Sequence, residues 1–376
     1  MPGKLLAALA LLAGGAVLAA PALGRPAPLA TAGAAAARGA AAPSSALRLT
    51  LRKTIYGAIS PKSVVASQTG LFFAQNMMYR HTVTVYDRRL RLVRTISDAV
   101  RLAKLGYPEY EGTARGAPVE AAFSPDGAYA YVSNYSMYGP GFGPEGHDVC
   151  SPASGYDRSF LYRVDVSRLA IDQAIRVGSV PKYVAATPDG RYVLVSNWCS
   201  YDLSVVSVAK GRQVRRVPLG PYPRGIAVDP AGRTAYVAVM GSADVAKVDL
   251  RTFRVRWLRG VGISPRHLVI DPAGRYLYAT LNAEGRVAKV DLRSGRVVAK
   301  AATGNAPRSM AIAPDGRSLY VVNYESDTVA KVRTRDLRVL QTVRTNPDPI
   351  GITYDAATRQ VRVACYSGSL MVFRDG

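Results

Sequence analysis

Histidine and cysteine are scarce in this chain, with three of each in 376 residues, and acidic residues are outnumbered 49 to 26 by basic ones. Three cysteines are too few for a disulfide scaffold. No Cys or His spacing resembles a zinc site, so no metal is expected. Nucleophile elbows and phosphate-binding loops are missing, which removes two common signatures of hydrolases and nucleotide binders, and no cofactor is expected. No segment keeps a 3.6-residue apolar period long enough for paired helices, which argues against a helical repeat. The long apolar run, Leu5 to Leu23, is preceded by Lys4 and ends in small residues around Ala20-Pro21-Ala22. Residues 1–24 therefore read as a secretory signal, although the run is also just long enough for a retained anchor. Residues 25–46, almost all Ala, Pro, Gly, Ser and Thr, cannot build a core and read as a flexible linker.

What the chain has in abundance is repetition. Val-Ala-Lys-Val recurs at Val245–Val248, Val287–Val290 and Val329–Val332, a period of 42 residues. A proline ahead of a short apolar run keeps the same register at Pro61, Pro118, Pro181, Pro223, Pro265, Pro307 and Pro349. Turn glycines at Gly127, Gly190, Gly232, Gly274 and Gly316 follow Pro-Asp or Asp-Pro-Ala, where proline presets φ and glycine accepts a positive one. Each of the seven units reads as four short strands; in the unit opening at Pro265 they are predicted at 267–270, 276–280, 286–291 and 296–301. Such a sheet cannot bury both faces alone, and radial stacking of neighbours gives an all-β, seven-bladed β-propeller with four-stranded antiparallel blades over residues 47–376. The seventh unit ends at a third strand, so the segment 47–55 is predicted to supply its fourth and close the ring.

Tyr131-Val132-Ser133-Asn134, Val195-Ser196-Asn197 and Tyr320-Val321-Val322-Asn323 end the second strands of their units. With the period and the Pro-Asp-Gly turns, this resembles the YVTN family of secreted β-propeller repeats, including YncE-like proteins. The resemblance implies the fold and an exported or cell-surface setting. It leaves function open, since such repeats occur in surface-layer proteins and in propeller lactonases. Val239 and Cys365 replace the asparagine in two units, so these asparagines read as loop caps.

Two of the intervals between landmark prolines are stretched to 57 and 63 residues, and both excesses fall in connections that emerge on one face. The second excess, Tyr138 to Tyr156, holds Phe142, Glu145, His147, Asp148 and Cys150. Cys150 and Cys199 occupy corresponding loops of adjacent blades and are the candidate disulfide, while Cys365 reads as a buried thiol. The residues after the landmark prolines are Lys62, Val119, Lys182, Arg224, Arg266, Arg308 and Ile350, and they fall at the channel mouth on the same face. Five cations converging there suit a carboxylate, phosphate or other anion. The bland alternative is that each arginine forks onto carbonyls or acids of the next blade.

Lys62, Lys182, Tyr183, Arg224, Arg266, His267 and Arg308 are thus the candidate ligand-binding residues. An anionic small molecule, an envelope polymer or a protein is the expected partner; nucleic acid has less support. The chain is expected to be monomeric, without a membrane span once the signal is removed. Two further readings compete with anion capture. In a lactonase or lyase, Glu120 and His267 would supply acid and base, although blades two and five lie nearly opposite. In a protein-binding scaffold, Tyr138, Phe142 and Tyr156 would form an apolar patch.

Overall fold

Short β-branched runs punctuated by Asp, Pro and Gly form seven four-stranded antiparallel sheets in the computed structural model, which describes residues 42–376. In blade five the strands are Pro265–Ile270, Tyr276–Leu281, Arg286–Asp291 and Arg296–Ala302. The turn between the first two is held by Asp271, whose carboxylate accepts the N–H groups of Arg275 (2.6 Å) and Tyr276 (2.8 Å), while Gly274 takes φ +67°. A side chain at that φ would be strained, which is why glycine recurs there.

The repeated Val-Ala-Lys-Val lies on the third strands. Its valines at 245, 248, 287, 290, 329 and 332 are fully buried between neighbouring sheets, each stabilising the stack by about 1.5–3 kcal/mol relative to exposure. Its lysines lay their stems along a second-strand tyrosine. Lys289 Nζ stands 4.1 Å from the Tyr276 ring centroid and donates to Thr334 O (2.9 Å) in the next blade. An apolar repeat therefore also carries an inter-blade tie.

The ring closes as the strand count requires. Leu49–Ile55 pairs antiparallel with Ser369–Asp375 and becomes the outer strand of blade seven. Lys331 of blade six, fully buried, bonds both the Asp375 carboxylate and Leu47 O, and Tyr320 donates its hydroxyl to Asp375 as well. The first 24 residues and most of the expected linker lie outside the described residues. The end of that linker departs from the flexible reading: Ser44–Ala46 is a 3₁₀ turn, and Ser44 donates from its N–H and hydroxyl to Asp315 (2.7 Å each). A serine at a buried turn finds an acid there, which composition does not reveal.

First strands line the central channel, and two glycines let them crowd together. A Cβ at Gly225 would meet Arg266 O at 2.6 Å, and one at Gly351 would meet Ser63 Cα at 2.7 Å. The channel is narrow for this reason.

Candidate functional site

Five consecutive blades enter the channel through the same backbone device. The residue before each landmark proline, Val180, Tyr222, Ser264, Ala306 and Asp348, has φ between +49° and +61°. Each of their carbonyls accepts the N–H just beyond the second strand, from Trp198, Met240, Asn282, Tyr324 and Tyr366 respectively. In blade two Tyr135 N–H does the same to Ala117 O (2.8 Å). Left-handed geometry at non-glycine residues is costly and clusters at functional places. Here it sets two residues side by side in each blade: the one after the proline and the one after the second strand.

The result is two concentric rings. Lys62, Val119, Arg224, Arg266, Arg308 and Ile350 line a throat of only about 20 Å³, together with Glu120, Tyr183, His267 and Ser309. Around them lie Tyr135, Trp198, Met240, Tyr324 and Tyr366. Lys62 Nζ is 4.7 Å from the Tyr366 centroid, Arg224 is 5.9 Å from Trp198 and Arg308 is 3.4 Å from Tyr324. Arg266 Nη1 approaches Met240 Sδ at 3.8 Å. Among the described residues none of Lys62, Arg224, Arg266 and Arg308 has an acidic partner within salt-bridge distance. The arginines do not fork onto the next blade. Aromatic faces hold Arg224 and Arg308, and the Met240 sulfur holds Arg266, without neutralising them.

Lys182 behaves differently. Its Nζ turns toward Asp148 (2.6 Å) and lies 4.2 Å from the Tyr135 centroid. Asp148 comes from the longer insertion, also accepts from Tyr135 Oη (3.0 Å), and its carbonyl accepts Trp198 Nε1 (2.8 Å). A disulfide joins Cys150 to Cys199, and Tyr201 donates to Cys150 O (2.6 Å). The insertion is thus tied down beside the throat, delivering one carboxylate to its edge. Replacing both cysteines by serine is expected to cost roughly 2–4 kcal/mol for a bridge spanning 49 residues, and to speed proteolytic cleavage within 138–156. Denaturant unfolding and limited digestion check this.

The charges press on each other. Burial and then the surrounding cations hold Lys62 and Arg266 well below their ordinary pKa values, and burial followed by Arg308 lowers Arg224 to about 10. Burial brings Lys182 down to about 7 against the pull of Asp148. Burial lifts Glu120 to about 7, opposed by the Ala121 N–H, Ser63 and the cations Arg224 and Lys62. His267 falls to about 3 from burial, then from Arg224 and Arg266, and is neutral.

Glu120 and His267 meet in one throat although their blades are opposed, because seven first strands converge on one axis. Tyr183 Oη lies 2.8 Å from His267 Nε2. The other histidines lie elsewhere. His81 is half-buried, with Nδ1 2.7 Å from Gly116 O and 3.2 Å from Asp98, whose pKa burial raises to about 7. Tyr138, Phe142 and Tyr156 do not form an exposed patch. Phe142 stacks on Tyr110 of the other insertion at 4.6 Å, and the two tyrosines are half-buried against the cluster around Cys150 and Trp198. The buried asparagines cap loops and brace turns: Asn197 accepts Gly178 N–H (3.2 Å) and donates to Ser204 (2.9 Å), and Cys365 is a buried free thiol. The outer ring is the part that reading from the prolines alone misses. Its signal is present, since aromatic residues or methionine follow the second strand in six of seven units.

Residues 266–369, spanning most of blades five to seven, match the family model of the Cytochrome D1 heme domain. The propeller is similar in fold to Kuenenia stuttgartiensis Hydrazine Synthase, with 20% identity and a TM-score of 0.67 over 86% of this chain and 97% of that one. No curated protein matches the chain. A haem is not accommodated where the rings converge. The throat of about 20 Å³ and the chamber of about 200 Å³ beyond it are smaller than the roughly 300–1,000 Å³ that drug-sized ligands occupy, and a tetrapyrrole needs more. His267, the histidine at the throat, has its Nε2 engaged by Tyr183.

Proposed function

We propose that this propeller captures an anionic ligand at the mouth of its central channel. One observation carries the reading: five cations gather there, and among the described residues Lys182 alone is ion-paired, while Glu120, Glu325 and Asp348 act on the others only from beyond salt-bridge distance. In a confined, poorly hydrated site, uncompensated guanidinium groups favour bidentate binding of carboxylate or phosphate oxygens. The kinship we favour is with the YVTN type, and the setting is extracytoplasmic, a reading supported by the Cys150–Cys199 disulfide. Packing of Phe142 between the insertions weighs against the protein-scaffold alternative, and the channel dimensions weigh against haem.

Calorimetric titration of the full chain with sulfate, at constant ionic strength set by chloride, tests this. Saturable binding is expected, reduced at least 10²-fold in the Arg224→Gln/Arg266→Gln/Arg308→Gln variant. That variant should unfold at an equal or higher temperature, because removing unpaired buried cations relieves repulsion. Equal sulfate affinity in both proteins would remove the proposal.

A further inference from the structure

Beyond the cation ring the channel widens into a chamber of about 200 Å³. Val65, Val269 and Ala311 contribute an apolar part of its lining, joined by Val64, Leu268, Met310 and Ile352, which are mostly buried in the inter-blade cores. Ser63, Glu120, Tyr183, His267 and Ser309 supply a polar side, and four of these, Glu120, Tyr183, His267 and Ser309, also line the throat. Ring and chamber therefore share a wall, and one molecule can touch both. The arginines do not reach the chamber lining, so charge is recognised at one end only.

We propose that the ligand is a small organic monocarboxylic acid bearing a hydroxyl or keto group, its carboxylate on Arg224, Arg266 and Arg308 and its uncharged body in the chamber. This rests on the anion reading and narrows it. At about 30 Å³ for each water-sized group, the chamber admits a body of roughly six such groups. The polar side suits a neutral oxygen. His267 is uncharged and bonded to Tyr183, and burial keeps Glu120 a hydrogen-bond donor on the acid side of neutrality. A second carboxylate placed there would find no cation. Apolar walls with a few convergent polar groups are the usual make-up of small-molecule sites.

The test compares sulfate, acetate, 3-hydroxybutanoate and succinate by calorimetry on the full chain at pH 6.5. 3-Hydroxybutanoate is expected to bind at least tenfold tighter than acetate, and succinate no better than acetate. Ala311→Leu fills the chamber and should erase the hydroxy acid's advantage while leaving sulfate affinity unchanged; Val269→Leu, on another blade, serves the same purpose should Ala311→Leu fail to fold. Equal affinity for acetate and 3-hydroxybutanoate, or an advantage that survives in a folded chamber-filled variant, overturns the proposal and leaves anion capture standing. Failure of every anion to bind overturns both.

Discussion

Raising the pH from 6 to 9 is expected to weaken sulfate binding about 10²-fold, with the steepest change near pH 7. Two groups at the throat titrate there in opposite charge senses. Glu120, lifted by burial to about 7, is neutral at pH 6 and negative at pH 9. Lys182, lowered by burial to about 7, is positive at pH 6 and neutral at pH 9. Each change removes one unit of positive charge from the site, so the two effects add. Arg224, Arg266 and Arg308 surround them, Asp148 stays ionised, and His267 and Tyr183 stay neutral near pH 7. A unit charge at 6 Å in an effective dielectric of 20 is worth about 3 kcal/mol, so a tenfold change per group is a conservative share of that. Sulfate remains a dianion over this range, which leaves the protein as the titrating partner. Calorimetry at half-unit pH steps checks the result, and Glu120→Gln should flatten about half of the profile. An affinity independent of pH would place these two groups away from the ligand.

Replacing Lys331 by Ala is expected to cost about 3–5 kcal/mol of stability, the largest effect of a single substitution outside the channel. The ammonium sits with no exposure between blade six, the C-terminal strand and the N-terminal segment, bonded to Asp375 and to Leu47 O. Its loss leaves the fully buried Asp375 carboxylate with Tyr320 as its remaining side-chain donor. The contact belongs to ring closure, so hydrogen exchange should rise first in Leu49–Ile55 and Ser369–Asp375, ahead of blades two to five. A Lys331→Met/Asp375→Asn double variant removes the stranded charge and should recover most of the loss, which a double-mutant cycle measures. If Lys331→Ala costs under 1 kcal/mol, the ring is held shut by strand pairing alone.

The same lysine appears in Val-Ala-Lys-Val at 247 and 289, where it stands 6.0 Å from the equivalent tyrosines Tyr236 and Tyr278. Only at 331 does it meet the chain terminus. A repeated residue acquires a singular role because the ring must close at one seam.

Much of the architecture is legible in the linear chain because a propeller is built from local hairpins. Prolines 42 apart, turn glycines and alternating burial each act within a single unit, so blade number, strand number and the closing strand follow from register. The positions after the prolines could also be placed at the channel mouth, since strand direction alternates and every unit repeats the same path. Contacts between units are another matter. Asp148 reaches Lys182 across 34 residues, Tyr183 reaches His267 across 84, and the throat gathers side chains from all seven blades. None of these follows from spacing along the chain, because distance around a ring says little about separation at its axis. The sequence alone determined the wheel and which face carries the cations. Only the tertiary structure decided that Lys62, Arg224 and Arg308 rest on aromatic faces and Arg266 on a methionine sulfur, with Lys182 alone meeting an acid, and that the channel narrows to a throat with a chamber beyond it. The physical reason is convergence: radial packing brings the inner edges of all the sheets within contact distance, so charge balance and free volume at the axis depend on every blade at once.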